Sequence, residues 1–109
     1  MDMTQTLPAV TRAASAFAAL GSEQRLSVLL TLVRAGPEGL AIGELGTRTG
    51  VTGSTLTHHL KFLAQAGMIV QEKQGRSIIC AVDYDQVREL SDFLLAHCCA
   101  DAPDGHDHG

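Results

Sequence analysis

Residues 54–63 constrain the fold of this 109-residue chain more than any other segment. Directly before them, the tripeptide Gly50-Val51-Thr52 predicts a tight turn, and Thr52 or Ser54 is a suitable N-cap for the helix that follows. A short helix over about residues 41–49 is expected before the turn. The later helix carries apolar or buried-type side chains at positions i, i+3, i+4 and i+7: Leu56, His59, Leu60 and Leu63. A short helix, a glycine-containing turn and a second capped helix are typical of a helix-turn-helix.

The opposite side of the second helix is small and polar, and it predicts a DNA-reading face. Short hydroxyl side chains let the helix backbone approach base edges in a major groove, and a lysine one turn later reaches a phosphate. An ordinary solvated helix face would carry more glutamate and lysine. His59 lies on the apolar stripe and is interpreted as a core histidine, whereas His58 faces outward. The predicted outer face consists of Ser54, Thr55, Thr57, His58 and Lys61.

Two further helices are expected before this motif. An alanine-rich helix over residues 7–20 places Val10, Ala13, Ala14, Phe17 and Leu20 at helical spacing. Ser22 is a good N-cap for the next helix, which ends where Gly36-Pro37 prevents its continuation. The predicted apolar face of this second helix contains Leu26, Leu29, Leu30 and Val33.

After the motif, the sequence predicts a hairpin and one last helix. Residues 68–70 and 77–82 have the character of short strands, and residues 73–76 form the loop between them. The last helix is expected over about residues 85–99. The predicted order is α-α-α-α-β-β-α, mainly helical with a small β-hairpin wing. We expect one domain over residues 1–100 and a disordered polar tail over residues 101–109. The apolar face of the last helix contains Val87, Leu90, Leu94 and Cys98.

Composition narrows the class of protein. Hydrophobic residues make up 45% of the chain, which is enough for one core, but no apolar run approaches the ~18 residues of a membrane span. The N-terminus lacks the basic flank and apolar run of a signal peptide, so a cytoplasmic protein is expected. The three cysteines are expected as reduced thiols. No nucleophile–base pair, phosphate loop or open metal site indicates an enzyme.

The net charge of −4 does not exclude a nucleic-acid partner, because the charge is unevenly distributed. Three aspartates lie in the last nine residues. Residues 44–76 are locally basic, with four cations against Glu44 and Glu72. These cations are Arg48, Lys61, Lys73 and Arg76.

The segment from Val51 to Leu63, followed by Ala66-Gly67-Met68-Ile69, resembles the recognition segment of the ArsR/SmtB family of repressors. Residues 19–26 and the pair Gly75-Arg76 also match, and the similarity spans roughly residues 12–98. The resemblance implies a winged helix-turn-helix that dimerises through its first and last helices. It further implies a homodimer bound to double-stranded operator DNA and released by an inducer. The implied DNA contacts are the face from Thr52 to Lys61 and the wing residue Arg76.

Members of this family differ in where the inducer binds. The helix before the recognition helix has no cysteine here, and the last helix lacks the spacing of a zinc site. The vicinal pair Cys98-Cys99 remains, and it resembles the site of arsenical-responsive members. Two soft thiolates bind one thiophilic ion. The expected inducer is a trivalent arsenical, including an organic one such as methylarsenite, or antimonite. No constitutive cofactor is expected. Many arsenical-responsive relatives carry a third cysteine a few residues after the pair, but residues 100–103 contain none here.

Two other functions stay open at this point. One is a thiol redox or reactive-sulfur sensor of the same fold, which would link Cys80 to Cys98 or Cys99. The other is a winged-helix module that binds proteins and not DNA. We interpret Cys80 as a buried structural thiol, because free cysteine is among the most buried residue types. His106 and His108 are interpreted as part of a solvated tail.

Overall fold

The computed structural model describes residues 3–51, 53–96 and 101, and within them it contains five helices and three short strands. The order confirms the predicted helix-turn-helix with a wing and adds one short strand before the motif. The elements are α1 (Met3–Ala19), α2 (Glu23–Ala35), β1 (Leu40–Ala41), α3 (Ile42–Thr49), α4 (Gly53–Gln65), β2 (Ile69–Gln74), β3 (Ser77–Val82) and α5 (Tyr84–Ala96).

The ends of α2 follow the predicted signals. The Ser22 side chain accepts a hydrogen bond from the backbone N–H of Arg25 at 3.3 Å, so Ser22 is the N-cap. At the other end, Gly36 has φ +90° and donates its N–H to the Val33 carbonyl. The helix therefore ends at Ala35, and Gly36 separates it from Pro37, which cannot continue a helix.

The wing is part of a three-stranded antiparallel sheet with the strand order β1-β3-β2. Leu40 pairs with Cys80 in β3, and Ile69 of β2 pairs with Val82. β1 escaped sequence prediction because two residues are too few to show the alternation of a strand. The strands extend to Gln74 and Ser77, so the hairpin turn is shorter than the predicted loop over residues 73–76.

Gly39 sets the approach of β1 to β3. Its φ is +74°, and a Cβ atom at this position would collide with the backbone carbonyl of Cys80. Only glycine satisfies both the left-handed backbone and this close contact. The turn after α2 therefore delivers α3, the first helix of the motif, to a fixed place beside the sheet.

The predicted apolar stripes of α1 and α2 were correct for Ala13, Leu20, Leu29 and Val33, which are buried or pack against the core. They were wrong for their other members, including the exposed Ala14. In α1 the alanines Ala13, Ala16 and Ala19 are buried, whereas Val10 and Phe17 are exposed. The small side chains face inward because they let α1 approach its neighbours closely. In α2 the buried residues are Val28, Leu29 and Leu32, while Leu26 and Leu30 lie on an exposed face.

The core lies between α2, α3, α4 and the sheet, and α5 packs on its edge. Its largest fully buried side chains are Val28, Leu32, Leu45, Leu60, Leu63, Met68 and Cys80. The Tyr84 hydroxyl donates to the Val33 carbonyl at 2.9 Å and fixes the start of α5 to the end of α2. Of the predicted α5 face, Val87 and Leu90 pack against the core, but Leu94 is 53% exposed.

Several predicted positions lie outside the described residues. They include Thr52, the pair Cys98-Cys99, and all of the polar tail except Asp101, with His106 and His108. None of the helices described is long and apolar enough to span a membrane.

Candidate nucleic-acid interface

The turn between α3 and α4 is built by backbone hydrogen bonds. Gly50 adopts the left-handed conformation with φ +74°, and its N–H donates to the Gly46 carbonyl at 2.8 Å. The Thr49 hydroxyl then accepts from the N–H of Val51 at 3.2 Å. Val51 is buried, so it anchors the turn to the core. These contacts fix the angle at which α4 leaves α3.

The two faces of α4 separate as predicted. All four predicted inward residues, Leu56, His59, Leu60 and Leu63, are buried. The five predicted outward residues, Ser54, Thr55, Thr57, His58 and Lys61, are all exposed. The helix therefore presents hydroxyl, imidazole and ammonium groups to the outside while its leucines complete the core.

Thr57 and Lys61 on this face differ in the contacts that they make within the chain. The Thr57 hydroxyl donates to the Gly53 carbonyl at 3.3 Å, so towards an outside partner its oxygen acts as an acceptor. Within the part of the chain that the structure describes, Lys61 forms no ion pair with a carboxylate. A cation without a local partner is available for a phosphate.

The Phe62 ring lies beside the outer face of α4 and contacts both a cation and a histidine. The guanidinium carbon of Arg25 lies 4.7 Å from the centroid of the Phe62 ring. His58 meets the same ring edge-on, with 4.8 Å between the centroids. The orientation of His58 is therefore set partly by Phe62. Arg25 and Phe62 were not among the predicted site residues, although the i, i+4 spacing of His58 and Phe62 could have indicated their contact.

His59 is a buried histidine with one hydrogen bond, which confirms its interpretation as a core residue. Its Nε2 atom lies 2.9 Å from Oε1 of Gln24 at the start of α2, and its Nδ1 atom is buried without a partner. Burial, and then the positive charge of Arg25 and the neighbouring His58, lower the pKa of His59. The neutral form of the ring is therefore favoured.

The wing adjoins the helix-turn-helix, and residues of both line two grooves. One groove between α4 and the sheet is lined by Thr57 and Lys61 together with Gln71 and Ile78. A second groove places Arg76, at the hairpin turn, beside Ile42 and Gly43 at the start of α3. Lys73 is exposed on β2, whereas Arg48 is engaged by Glu44 at 2.8 Å. Lys61 and Arg76 thus supply positive charge to two neighbouring grooves, which share Ile42 and Ile78.

The described part of the chain locates one of the three cysteines. Cys80 is fully buried in β3, and the side-chain amide of Gln71 donates to its sulfur at 3.5 Å. Burial raises the pKa of this thiol, so its reactive thiolate form is disfavoured. No cluster of three or more His, Cys, Asp or Glu side chains with the placement of metal ligands occurs among the described residues.

Comparison with known sequences gives one domain match and two informative relatives. A helix-turn-helix domain family matches residues 20–72. The HTH-type transcriptional regulator NmtR of Mycobacterium tuberculosis is 33% identical over 82% of this chain and 72% of its own length. The transcriptional activator HlyU of Vibrio cholerae is 26% identical over 74% of this chain and 72% of its own length.

Solved structures agree with the sequence relatives. An ArsR-like transcriptional regulator from Rhodococcus sp. RHA1 is 28% identical, has a TM-score of 0.70 and covers 80% of this chain and 79% of its own. The chain belongs to the ArsR/SmtB family of transcriptional regulators. A homodimeric winged helix-turn-helix DNA-binding domain from Mycobacterium bovis shares the fold, with 22% identity and a TM-score of 0.67. It covers all of this chain and 94% of its own.

Proposed function

We propose that this regulator is a homodimeric repressor that binds operator DNA and dissociates from it when a thiophilic metalloid binds Cys98-Cys99. The observation that carries the DNA-binding part is the division of α4 into a buried leucine face and an exposed polar face. Thr52, Ser54, Thr55, Thr57 and His58 would read bases. Lys61 and the wing residue Arg76 would contact phosphates.

An exposed apolar surface on α1 and α5 supports a homodimer. Val10 and Phe17 on α1, and Leu94 and Leu95 on α5, are large side chains that the single chain leaves exposed. α1 and α5 contact one another, and the pair Arg12–Glu89 joins them at 3.1 Å. A second copy of the chain would cover this surface, and the related M. bovis domain is homodimeric. Two copies would space their α4 helices about one DNA turn apart, ~34–36 Å.

The proposed inducer site uses the two adjacent thiols that follow α5 in the sequence. Inorganic trivalent arsenic takes three thiolates, whereas a mono-organic arsenical already has one carbon ligand and needs two. Cys80 is fully buried, with a raised pKa, and is a poor third ligand. The proposal therefore favours a singly substituted organic arsenical such as methylarsenite over arsenite.

Release from DNA requires that the metalloid bind the DNA-free conformation more tightly than the DNA-bound one. α5 is suited to transmit this preference because it packs against α1, and α1 in turn contacts α4. A metalloid at the end of α5 would shift the α1–α5 contact, and with it the spacing of the two reading helices. The thiol-sensor alternative instead needs Cys80 to leave the core and meet a second sulfur.

The test uses an electrophoretic band shift to measure release of the purified, reduced protein from the DNA duplex that lies upstream of its own gene. Methylarsenite, arsenite and polysulfide are each tried as the inducer. We expect Cys98→Ser and Cys99→Ser to bind the duplex normally and to resist release. Cys80→Ser is the matched control and should respond to methylarsenite like the wild type. If arsenite is the stronger inducer and Cys80→Ser removes that advantage, Cys80 is a ligand and the proposed site is wrong. If the regulator increases transcription from the upstream promoter, repression is wrong.

A further inference from the structure

The hydrogen bond between Gln24 and His59 is a partly buried polar contact that joins the exposed Gln24 of α2 to the buried His59 of α4. Gln24 belongs to the first turn of α2, and its Oε1 atom lies 2.9 Å from Nε2 of His59. His59 stands between His58 on the outer face and Leu60 in the core. A shift of this ring would therefore move the polar face of α4 relative to the rest of the domain.

The surroundings of His59 favour a neutral ring over an imidazolium. A neutral ring with its hydrogen on Nε2 donates to Gln24, and Nδ1 is then a buried nitrogen without a partner. Uptake of a proton would place a second N–H and a positive charge at that buried atom. The charged and titratable groups that act on the ring are Arg25 from α2 and His58 from α4. Both of these groups oppose an additional positive charge.

We infer that His59, through its hydrogen bond to Gln24, is a positioning residue that holds α4 in the orientation that reads DNA, and that protonation of this ring releases α4. The inference rests on the proposed DNA binding. His59 itself touches no base, because it is buried beneath the outer face. Its effect on DNA binding passes through the orientation of α4 and of its neighbour His58.

The direction of the pH dependence follows from the neutral ring. Because the folded protein lowers the pKa of His59 below 6.5, the contribution of the contact is complete above about pH 6.5 and is lost as the pH falls through the folded pKa. Specific DNA affinity should therefore fall on acidification in this window. His58 is exposed, and a positive charge on it would favour DNA, so it cannot produce a loss with this sign.

The experiment measures binding by fluorescence anisotropy to the upstream duplex and to a scrambled duplex, from about pH 8 to about pH 5.5. Gln24→Ala should weaken binding to the upstream duplex about tenfold and leave the scrambled duplex unchanged, because no charge is lost. Gln65→Ala, an exposed glutamine on α4, is the matched control and should bind like the wild type. A Gln24→Ala variant with wild-type affinity and only a lower melting temperature would overturn the inference.

The second arm tests the pH profile. His59→Gln keeps a neutral hydrogen-bonding side chain that takes up no proton, so its specific affinity should not fall below about pH 6.5. His58→Gln, the same change one residue earlier, should retain the acid loss. A wild type without any acid loss would contradict the positioning role.

Nitrogen-15 NMR of the imidazole rings in the DNA-free protein separates this inference from the proposed function. The wild type should show a neutral His59 ring whose signal shifts in Gln24→Ala. An unshifted ring would overturn the inference alone. Failure of the wild type to prefer its upstream duplex over the scrambled one would overturn the proposed function.

Discussion

Helices α4 and α5 are both thirteen residues long, but they differ in how many of their apolar side chains they bury. α4 buries four residues within its own chain and leaves a polar outer face. α5 buries none completely, and at its end Leu94 and Leu95 are 53% and 68% exposed. Helix α4 is complete in a single chain, whereas α5 has an apolar surface that a single chain does not cover.

This difference corresponds to the two proposed tasks, reading DNA and assembling two copies of the chain. A surface that reads DNA must be polar and must be held rigidly from behind, which the leucines and His59 of α4 provide. A surface that assembles two copies must keep apolar area available, and α5 does so together with Val10 and Phe17 of α1. In the proposed dimer, the second surface sets the distance between two copies of the first.

The largest expected effect comes from removing a leucine from the inner face of α4. Leu60 is 1% exposed, and Leu60→Ala should lower the free energy of unfolding by about 2–5 kcal/mol through lost burial and the cavity left behind. Leu95→Ala removes the same atoms from an exposed site and should change it by less than about 0.5 kcal/mol in dilute protein. Chemical denaturation measures both. If both substitutions lower the free energy of unfolding equally, α4 and α5 do not differ in how deeply they bury their leucines.

The next effect concerns assembly. Leu95→Asp places a charge on the exposed end of α5 and should raise the dimer dissociation constant more than about tenfold, as measured by analytical ultracentrifugation. Leu30→Asp is the matched control, since Leu30 is an exposed leucine on α2 outside the proposed interface. If Leu30→Asp dissociates the dimer and Leu95→Asp does not, the interface lies on α2.

The sequence predicted α4 well because both of its faces follow local rules: the i, i+3, i+4, i+7 spacing placed all four inward residues, and small polar residues marked the outside. The stripes of α1 and α2 were only partly correct because alanine and leucine occupy more than one face of each helix. Which face packs inward is then decided by tertiary contacts, and α1 turns its alanines to the core. The Gln24–His59 bond joins residues 35 positions apart, a separation at which local periodicity carries no information.

A smaller effect separates the roles within the outer face of α4. Thr57→Ala should weaken binding to the upstream duplex by about 1–3 kcal/mol, because its oxygen would accept a hydrogen bond from a base. Lys61→Ala should weaken binding to every duplex and reduce the salt slope by about one ion. Arg34→Ala, an exposed cation in the last turn of α2, is the control and should leave the slope unchanged. A Lys61→Ala variant with altered sequence preference and an unchanged slope would reverse these assignments.

The smallest expected effect is at the ion pair between α1 and α5, and it tests whether the surface of α5 is covered in the dimer. Arg12 and Glu89 lie 3.1 Å apart with side chains 59% and 55% exposed, so in a single chain the solvent screens their attraction. A double-mutant cycle with Arg12→Gln and Glu89→Gln should give a coupling energy below about 1 kcal/mol in dilute protein, decreasing further with salt. The cycle is then repeated at concentrations where the protein is dimeric. A coupling energy that rises and loses its salt dependence would place the pair inside the interface, whereas an unchanged value places it at the solvated rim. The second result is expected, because Leu94 and Leu95 lie one to two helical turns beyond Glu89, towards the end of α5.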